Sequence, residues 1–296
     1  MPGDGKIFYG WWIVAAFFVT LFLAAGIGAT ESVFFKSIVG EFGWSRTAFS
    51  TVLSVNAVIG ALLAPLWGRL VDRHGPRGVV PVGAAMVGLS MVLISRMQSM
   101  LEAYLFFILL AIGVGGKSLV PLSTALSQWF VRRRGLAIGI TLVGAGVGGV
   151  ALAPLASFMD REFSWRTGYL AFGILIWVVL IPLLLLVLRR RPQDIGLLPD
   201  GDARQGEPGD GEQSPEAPSE IPGMTLGEAL RTPTFWLIAL GFMLPMFAGR
   251  AIMIHLVPVI TDAGVSPHKA ATAFGMTVGL SIVGRFGFGY AADRFS

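Results

Sequence analysis

Three cations stand inside stretches that otherwise hold almost nothing but apolar residues: Lys117, Arg250 and Arg285. At the centre of a membrane span each costs about 2.5 to 3.5 kcal/mol on insertion scales, so such residues usually serve a purpose. No Asp or Glu is expected at comparable depth, because Glu31, the nearest, falls close to the outer end of the first apolar run. Cations facing a central cavity without acidic partners bind an anion, and the planar fork of Arg suits a carboxylate. The other reading is that these side chains snorkel to an interface or cap backbone carbonyls. His255, followed by Leu-Val-Pro, either takes a proton near neutral pH and lines an outer gate, or is an interfacial imidazole bonded to a carbonyl. Asn56 is either a cavity hydrogen-bonder or a polar helix-packing group.

The elements that carry these residues follow from composition. Of 296 residues, 54% are hydrophobic and 14% charged, with 39 Gly and a mean hydropathy of +0.72, which no water-soluble domain of this length matches. Apolar runs long enough to cross about 30 Å of hydrocarbon recur at 10–33, 47–69, 78–95, 101–126, 135–158, 166–188, 233–260 and 269–290. Runs of this length fit helices that satisfy their own backbone groups, not the alternating strands of a barrel, so the fold class is all-α and polytopic. Residues 1–188 then form a six-helix bundle and 233–296 an incomplete second one. Residues 189–232, rich in Gly, Pro, Asp, Glu and Ser between Pro199 and Pro222, read as a flexible cytoplasmic linker.

Charge placement fixes the orientation. Lys6, Arg69, Arg73, Arg77, the clusters Arg132–Arg134 and Arg189–Arg191, Arg204, Arg231 and Arg294 fall on the side of the N-terminus. The opposite side has Lys36, Arg46, Arg96, Arg161, Arg166 and Lys269. The positive-inside rule puts the N-terminus in the cytoplasm, in a cell (plasma or inner) membrane. No cleavable leader is evident, since the first run is too long and lacks a small-residue cleavage site. Trp11, Trp12, Trp129, Trp165 and Trp236 are placed for an aromatic belt. The formal charge of +4 and the Arg132–Arg134 cluster are explained by this topology and by anionic lipid headgroups, so no nucleic-acid partner is expected. There is no Cys, and His74, His255 and His268 are too scattered for a metal cluster.

Two motifs are set aside on context. Gly144–Gly149 fits Gly-x-Gly-x-x-Gly but sits mid-span with no preceding strand, so close helix packing explains it rather than a dinucleotide. Gly115-Gly116-Lys117-Ser118 ends like a phosphate loop, yet Ala111 occupies the required first Gly. No cofactor and no enzymatic activity are expected.

A repeat crosses the linker. Gly68, Asp72 and Arg73 match Gly289, Asp293 and Arg294 at a constant offset of 221 residues, which also pairs Gly43 with Gly264, Ser45 with Ser266 and Thr51 with Thr272. Two related, pseudo-symmetric halves follow. Equal halves would need twelve spans, of which about eight are found before Ser296, so the sequence reads as a C-terminally truncated chain.

The segment Gly68-x-Leu70-x-Asp72-Arg73-x-Gly75-x-Arg77 resembles the signature loop of the major facilitator superfamily. YGWW at Tyr9, FGWSR at Phe42, WFVRRRGLAIG at Trp129, RRPQDIGLLPDG at Arg190 and GRFGFGYAADR at Gly284 resemble its oxalate/formate antiporter and monocarboxylate transporter branch. The resemblance implies a secondary carrier of small organic anions, working by alternating access as a symporter or antiporter, with a coupling proton or counter-anion. It implies that Arg285, four residues before Gly289, binds the substrate carboxylate. The Lys that animal members carry in helix 1 is Ala29 here, and the repeat offset takes Ala29 to Arg250, a possible replacement across the pseudo-twofold axis. Ser281 stands where the branch has an acid one turn before the Arg, which favours anion exchange. In the family the loop Asp faces the positive end of a helix in the other half. For Asp293 that is the start of span 5, near Arg134 and Gly135. For Asp72 the partner would be helix eleven. The alternatives are drug efflux by the same fold, which the excess of buried cations disfavours, and a membrane anion sensor or assembly subunit that does not transport.

Overall fold

The computed structural model describes residues 8–117, 119–189, 191–201 and 226–265, with residues 280, 284 and 287. The described residues are all-helical apart from turns, and the chain divides into two compact units, residues 1–204 with 281–296, and residues 205–280.

In the first unit, helix α1 runs over Gly10–Phe42 and ends where Gly43 turns left-handed (φ 64°) and returns its N–H to the Val39 carbonyl. Ser45 caps α2 (Arg46–His74) by accepting the Ala48 N–H at 3.0 Å. Gly75 (φ 74°) then breaks α2, and Pro76, whose missing N–H costs nothing at a helix start, opens α3 (Pro76–Ile94). Ser99 caps α4 (Met100–Gly116), Lys117 leaves helical geometry, and α5 (Leu119–Trp129) continues the same apolar run. Helix α6 covers Arg134–Glu162. The next span is made of α7 (Trp165–Leu175), a π-helical turn (Ile176–Leu180) and α8 (Ile181–Val187). Pro182 of α8 cannot donate to a regular ladder, and the wider turn lies directly before it.

Among the described residues, six helices are long and apolar enough to cross a membrane, with α4 and α5 counted as one and α7, the π turn and α8 as another. The unit packs through small residues. A Cβ on Gly144 or Gly148 of α6 would overlap the carbonyl oxygens of Phe18 or Phe22, so α1 and α6 touch backbone to backbone. This bears out the packing reading of Gly144–Gly149. Gly83 of α3 meets Gly113 and Gly116 of α4 in the same way, and Trp67 of α2 lies on Gly115 and Gly116. The core is aromatic: Phe34, Phe49, Phe107, Trp165 and Tyr169 are all buried, with Phe107 edge-on to both Phe49 and Tyr169.

Several expectations are corrected. Helix α1 continues nine residues past the predicted end, because hydropathy reports the lipid-facing part while the helix persists until Gly43 stops it. Trp129 and Trp165 are not belt residues. Trp129 is buried beside Phe8 and Tyr9, and buried Trp165 donates its indole N–H to Glu41 at 2.6 Å. Trp12 and Trp236 are exposed, as a belt requires. The start of the predicted linker is folded. Residues 192–201 form two 3-10 turns, Pro192 is buried, Leu197 packs on the core, and the Asp200 carboxylate accepts the backbone N–H groups of Val131 (3.0 Å) and Arg132 (2.8 Å). Residues 202–225 lie outside the described residues.

In the second unit a short turn, α9 (Leu226–Ala229), precedes α10 (Pro233–Asp262). Thr232 caps α10 by accepting the Phe235 N–H, and Trp236 donates to the Leu230 carbonyl at 2.9 Å. The predicted span 269–290 falls outside the described residues, apart from the backbone at 280, 284 and 287.

Candidate functional site

A cavity of about 370 Å³ opens between α1, α2 and α4. Its volume comes from small residues on all three walls: Gly28 on α1, Ala57, Gly60 and Ala64 on α2, Ala111 and Gly115 on α4. Larger side chains at those positions would fill it. This is the size range of small-molecule sites, and its mostly apolar wall has few polar groups to orient a guest. Two are present, the half-buried Asn56 and Glu31. Asn56 therefore reaches the cavity, as one of its two sequence readings requires.

Glu31 was expected near the outer end of its span. With α1 extending to Phe42, Glu31 lies eleven residues, about 16 Å, before the end of the helix, and it lines the cavity. The sequence signal was the absence of any helix-ending residue directly after Glu31.

Lys117 is not among the cavity-lining residues. It sits at the break between α4 and α5, 1% exposed, with its backbone N–H on the Val114 carbonyl at 3.2 Å. Among the described residues no hydrogen bond or ion pair is recorded for its amine. Burial this complete excludes snorkelling within the unit. Arg250 and His255 belong to α10, but their side chains lie outside the described residues, as do Arg285, Gly289, Asp293 and Arg294. The cations proposed from sequence are therefore not brought together among the described residues.

The loop segment is well defined. Gly68 and Trp67 lie on α2, Asp72, Arg73 and His74 are exposed at its C-terminal turn, Gly75 makes the left-handed break, and Arg77 is exposed in the first turn of α3. The Arg73 charge is favourable at the negative end of α2.

The sequence profile of the Major Facilitator Superfamily matches residues 9–296. The chain belongs to that superfamily. That is a superfamily of membrane transporters rather than of enzymes, and the six apolar helices among the described residues fit a multi-pass membrane protein. It is 28% identical over 294 residues to monocarboxylate transporter 13 of Bos taurus, covering 99% of this chain and 63% of that protein. It is 27% identical over 301 residues to human monocarboxylate transporter 11, covering 99% and 58%, and 34% identical over 178 residues to rat monocarboxylate transporter 3, covering 59% and 35%. The chain thus spans less than two thirds of the length of these relatives. In this superfamily member the Gly75–Pro76 break after the exposed Asp72-Arg73 pair is the structural form of the signature segment read from Gly68 to Arg77.

Proposed function

We propose that this protein moves small organic anions, mono- or dicarboxylates, across a cell membrane by alternating access, with its N-terminus in the cytoplasm. The observation that carries the reading is the 370 Å³ cavity walled by small residues inside a membrane-spanning bundle, in a chain similar over 99% of its length to proteins named monocarboxylate transporters. Residues 1–188 act as one six-helix bundle, 189–232 as the connection, and 233–296 as the first two helices of a second, pseudo-symmetric bundle. Arg285 and Arg250 supply the positive charge that holds the anion, with Asn56 and His255 as supporting polar groups, and Lys117, outside the cavity lining, adds its charge only at longer range. Asp72 with Arg73 and Arg77, and the repeated Gly289, Asp293 and Arg294, form the cytoplasmic gate that opens when substrate shifts the balance.

The test is uptake into proteoliposomes of radiolabelled lactate, pyruvate, formate and oxalate. Saturable flux of at least one anion that falls by about tenfold or more in Arg285→Gln supports the reading. Flux of none of them overturns it. A second reading, export of cationic amphiphiles, gains from Glu31, because a carboxylate in the wall attracts a cation. Efflux of ethidium without flux of any carboxylate would establish that reading instead.

A further inference from the structure

The cavity wall is built at helical spacing. On α1, Gly28 stands between Ala24 and Glu31, one turn from each, and on α2, Gly60 stands in the same way between Asn56 and Ala64. No lining residue among those described is basic, and Glu31 and Asn56 are the two polar ones. The wall therefore offers apolar contact to the body of a guest, while the carboxylate of an anion is left to cations outside the lining. Glycines of two kinds take part. At Gly115 a Cβ would run into the Trp67 indole, so close packing requires the missing side chain. At Gly28 and Gly60 a Cβ would meet no atom of the described residues within 4 Å, and neither glycine has a positive φ. A glycine inside a helix weakens it relative to Ala. Neither a close neighbour nor the backbone conformation calls for one at these two positions, and what they do is keep volume open.

That volume has a size consequence. At about 30 Å³ per water-sized group, a cavity of about 370 Å³ holds about a dozen non-hydrogen atoms. Lactate and pyruvate have half as many and leave much of the apolar wall uncovered, whereas a carboxylic acid that bears a phenyl ring fills it. Resting on the anion reading above, we infer that Gly28 and Gly60 set the size of the cargo: the cavity takes the apolar body of an aryl-substituted 2-oxo or 2-hydroxy acid, of the size of phenylpyruvate, in preference to the three-carbon acids. Seating the ring removes apolar surface of guest and wall from water together. In a hydrophobic pocket one methylene group already discriminates by about 10- to 200-fold, so a ring that fits gains at least about tenfold. A side chain at either glycine occupies the space the ring needs and removes that gain.

The experiment uses the full chain in proteoliposomes and measures the half-saturation concentrations of labelled pyruvate and labelled phenylpyruvate, with protein-free liposomes as the baseline. Wild type should half-saturate with phenylpyruvate at a concentration about tenfold or more below that for pyruvate. Gly28→Leu and Gly60→Leu should bring the ratio towards one. Gly28→Ala and Gly60→Ala, each adding one methyl group into open space, should give intermediate ratios. A ratio of two concentrations does not depend on how much of the protein folds, so a poorly folding variant does not imitate the result. Equal half-saturation in wild type overturns the inference and leaves the anion reading intact, as does a wild-type ratio that survives in all four variants. Wild type that moves formate or oxalate but neither of these two acids does the same. Loss of all flux in the four variants also overturns it, because the glycines would then serve the fold. Wild type that moves none of these carboxylates removes the anion reading as well.

Discussion

The Arg166 guanidinium donates to Glu41 Oε1 at 2.7 Å and joins the last turn of α1 to the first turn of α7. It also reaches the third neighbouring helix, donating to the carbonyls of Ser95 (3.1 Å) and Met97 (2.7 Å) just after α3, and it lies 4.3 Å from the Trp165 ring centroid. A planar fork with five donors can serve a carboxylate, two carbonyls and an aromatic face at once, which an ammonium cannot. Three helix ends are thereby fixed where α1, α3 and α7 meet.

Arg166→Lys should lower stability by about 1–2 kcal/mol, the worth of charge-assisted bonds discounted for a partly exposed pair. Arg166→Ala should cost more, since the carbonyls of Ser95 and Met97 lose their donor. Thermal unfolding in detergent measures both. Equal melting temperatures for wild type, Arg166→Lys and Arg166→Ala would show that the three helix ends hold without it.

The same network makes stability depend on pH. Partial desolvation raises the pKa of Glu41, but hydrogen bonds from Arg166 and Trp165 and the Arg166 charge outweigh it, and the carboxyl lies below its ordinary 4.5. A depressed folded pKa means stability that is fully present above the ordinary value and is lost as pH falls through the folded one. The melting temperature should therefore fall more steeply below about pH 4.5 in wild type than in Glu41→Gln, whose amide does not titrate. Parallel curves down to pH 3 would show that Glu41 contributes nothing to acid stability.

Neighbouring glycines on α6 provide a paired test of helix packing. Gly148→Ala puts a methyl group into the Phe22 carbonyl oxygen, where no flexible side chain can yield, so α1 and α6 must separate. A loss of about 1–3 kcal/mol is expected, in the range of overpacked cores. Gly149→Ala meets nothing within 4 Å and should be neutral or stabilising by up to about 1 kcal/mol, from the helix propensity gained. Similar melting temperatures for the two variants would contradict the backbone-to-backbone crossing.

What the sequence shows well is what lipid dictates. Long apolar runs gave the first six spans to within a few residues at most ends, and the Gly75–Pro76 break appeared where a left-handed residue and a missing N–H require it. Hydropathy is blind where polar residues remain helical or where one side chain reaches a distant backbone. Glu31 stands near the outer end of its apolar run, yet Lys36, Ser37 and Glu41 stay in the same helix, the last two held by Asp160 and Arg166, partners that local composition does not show. Position along the chain puts Trp129 at an interface, but its burial depends on Phe8 and Tyr9, more than a hundred residues earlier in the chain. The cation cluster rested on depth alone, and depth does not say which way Lys117 points.

The contact of Asp200 with the α5–α6 turn is the clearest case of information invisible to composition, and it yields the last prediction. Asp200 adopts φ 59°, a left-handed conformation that Asp tolerates better than most residues. From there its Oδ2 accepts the N–H groups of Val131 and Arg132, and Oδ1 that of Arg133 at 3.4 Å. Three exposed donors gathered on one carboxylate, beside the arginines of the turn, hold the segment after α8 against the opening of α6. Asp200→Asn keeps the left-handed backbone and one acceptor oxygen but loses the charge. It should weaken the contact by about 1 kcal/mol, and Asp200→Ala, strained and without an acceptor, by about 2–3 kcal/mol. Hydrogen exchange at the amides of residues 131–133 should accelerate in the order wild type, Asn, Ala, with exchange in α3 unchanged. Because these amides are the groups that Asp200 engages, unchanged exchange at all three would show that the segment following α8 is not held there.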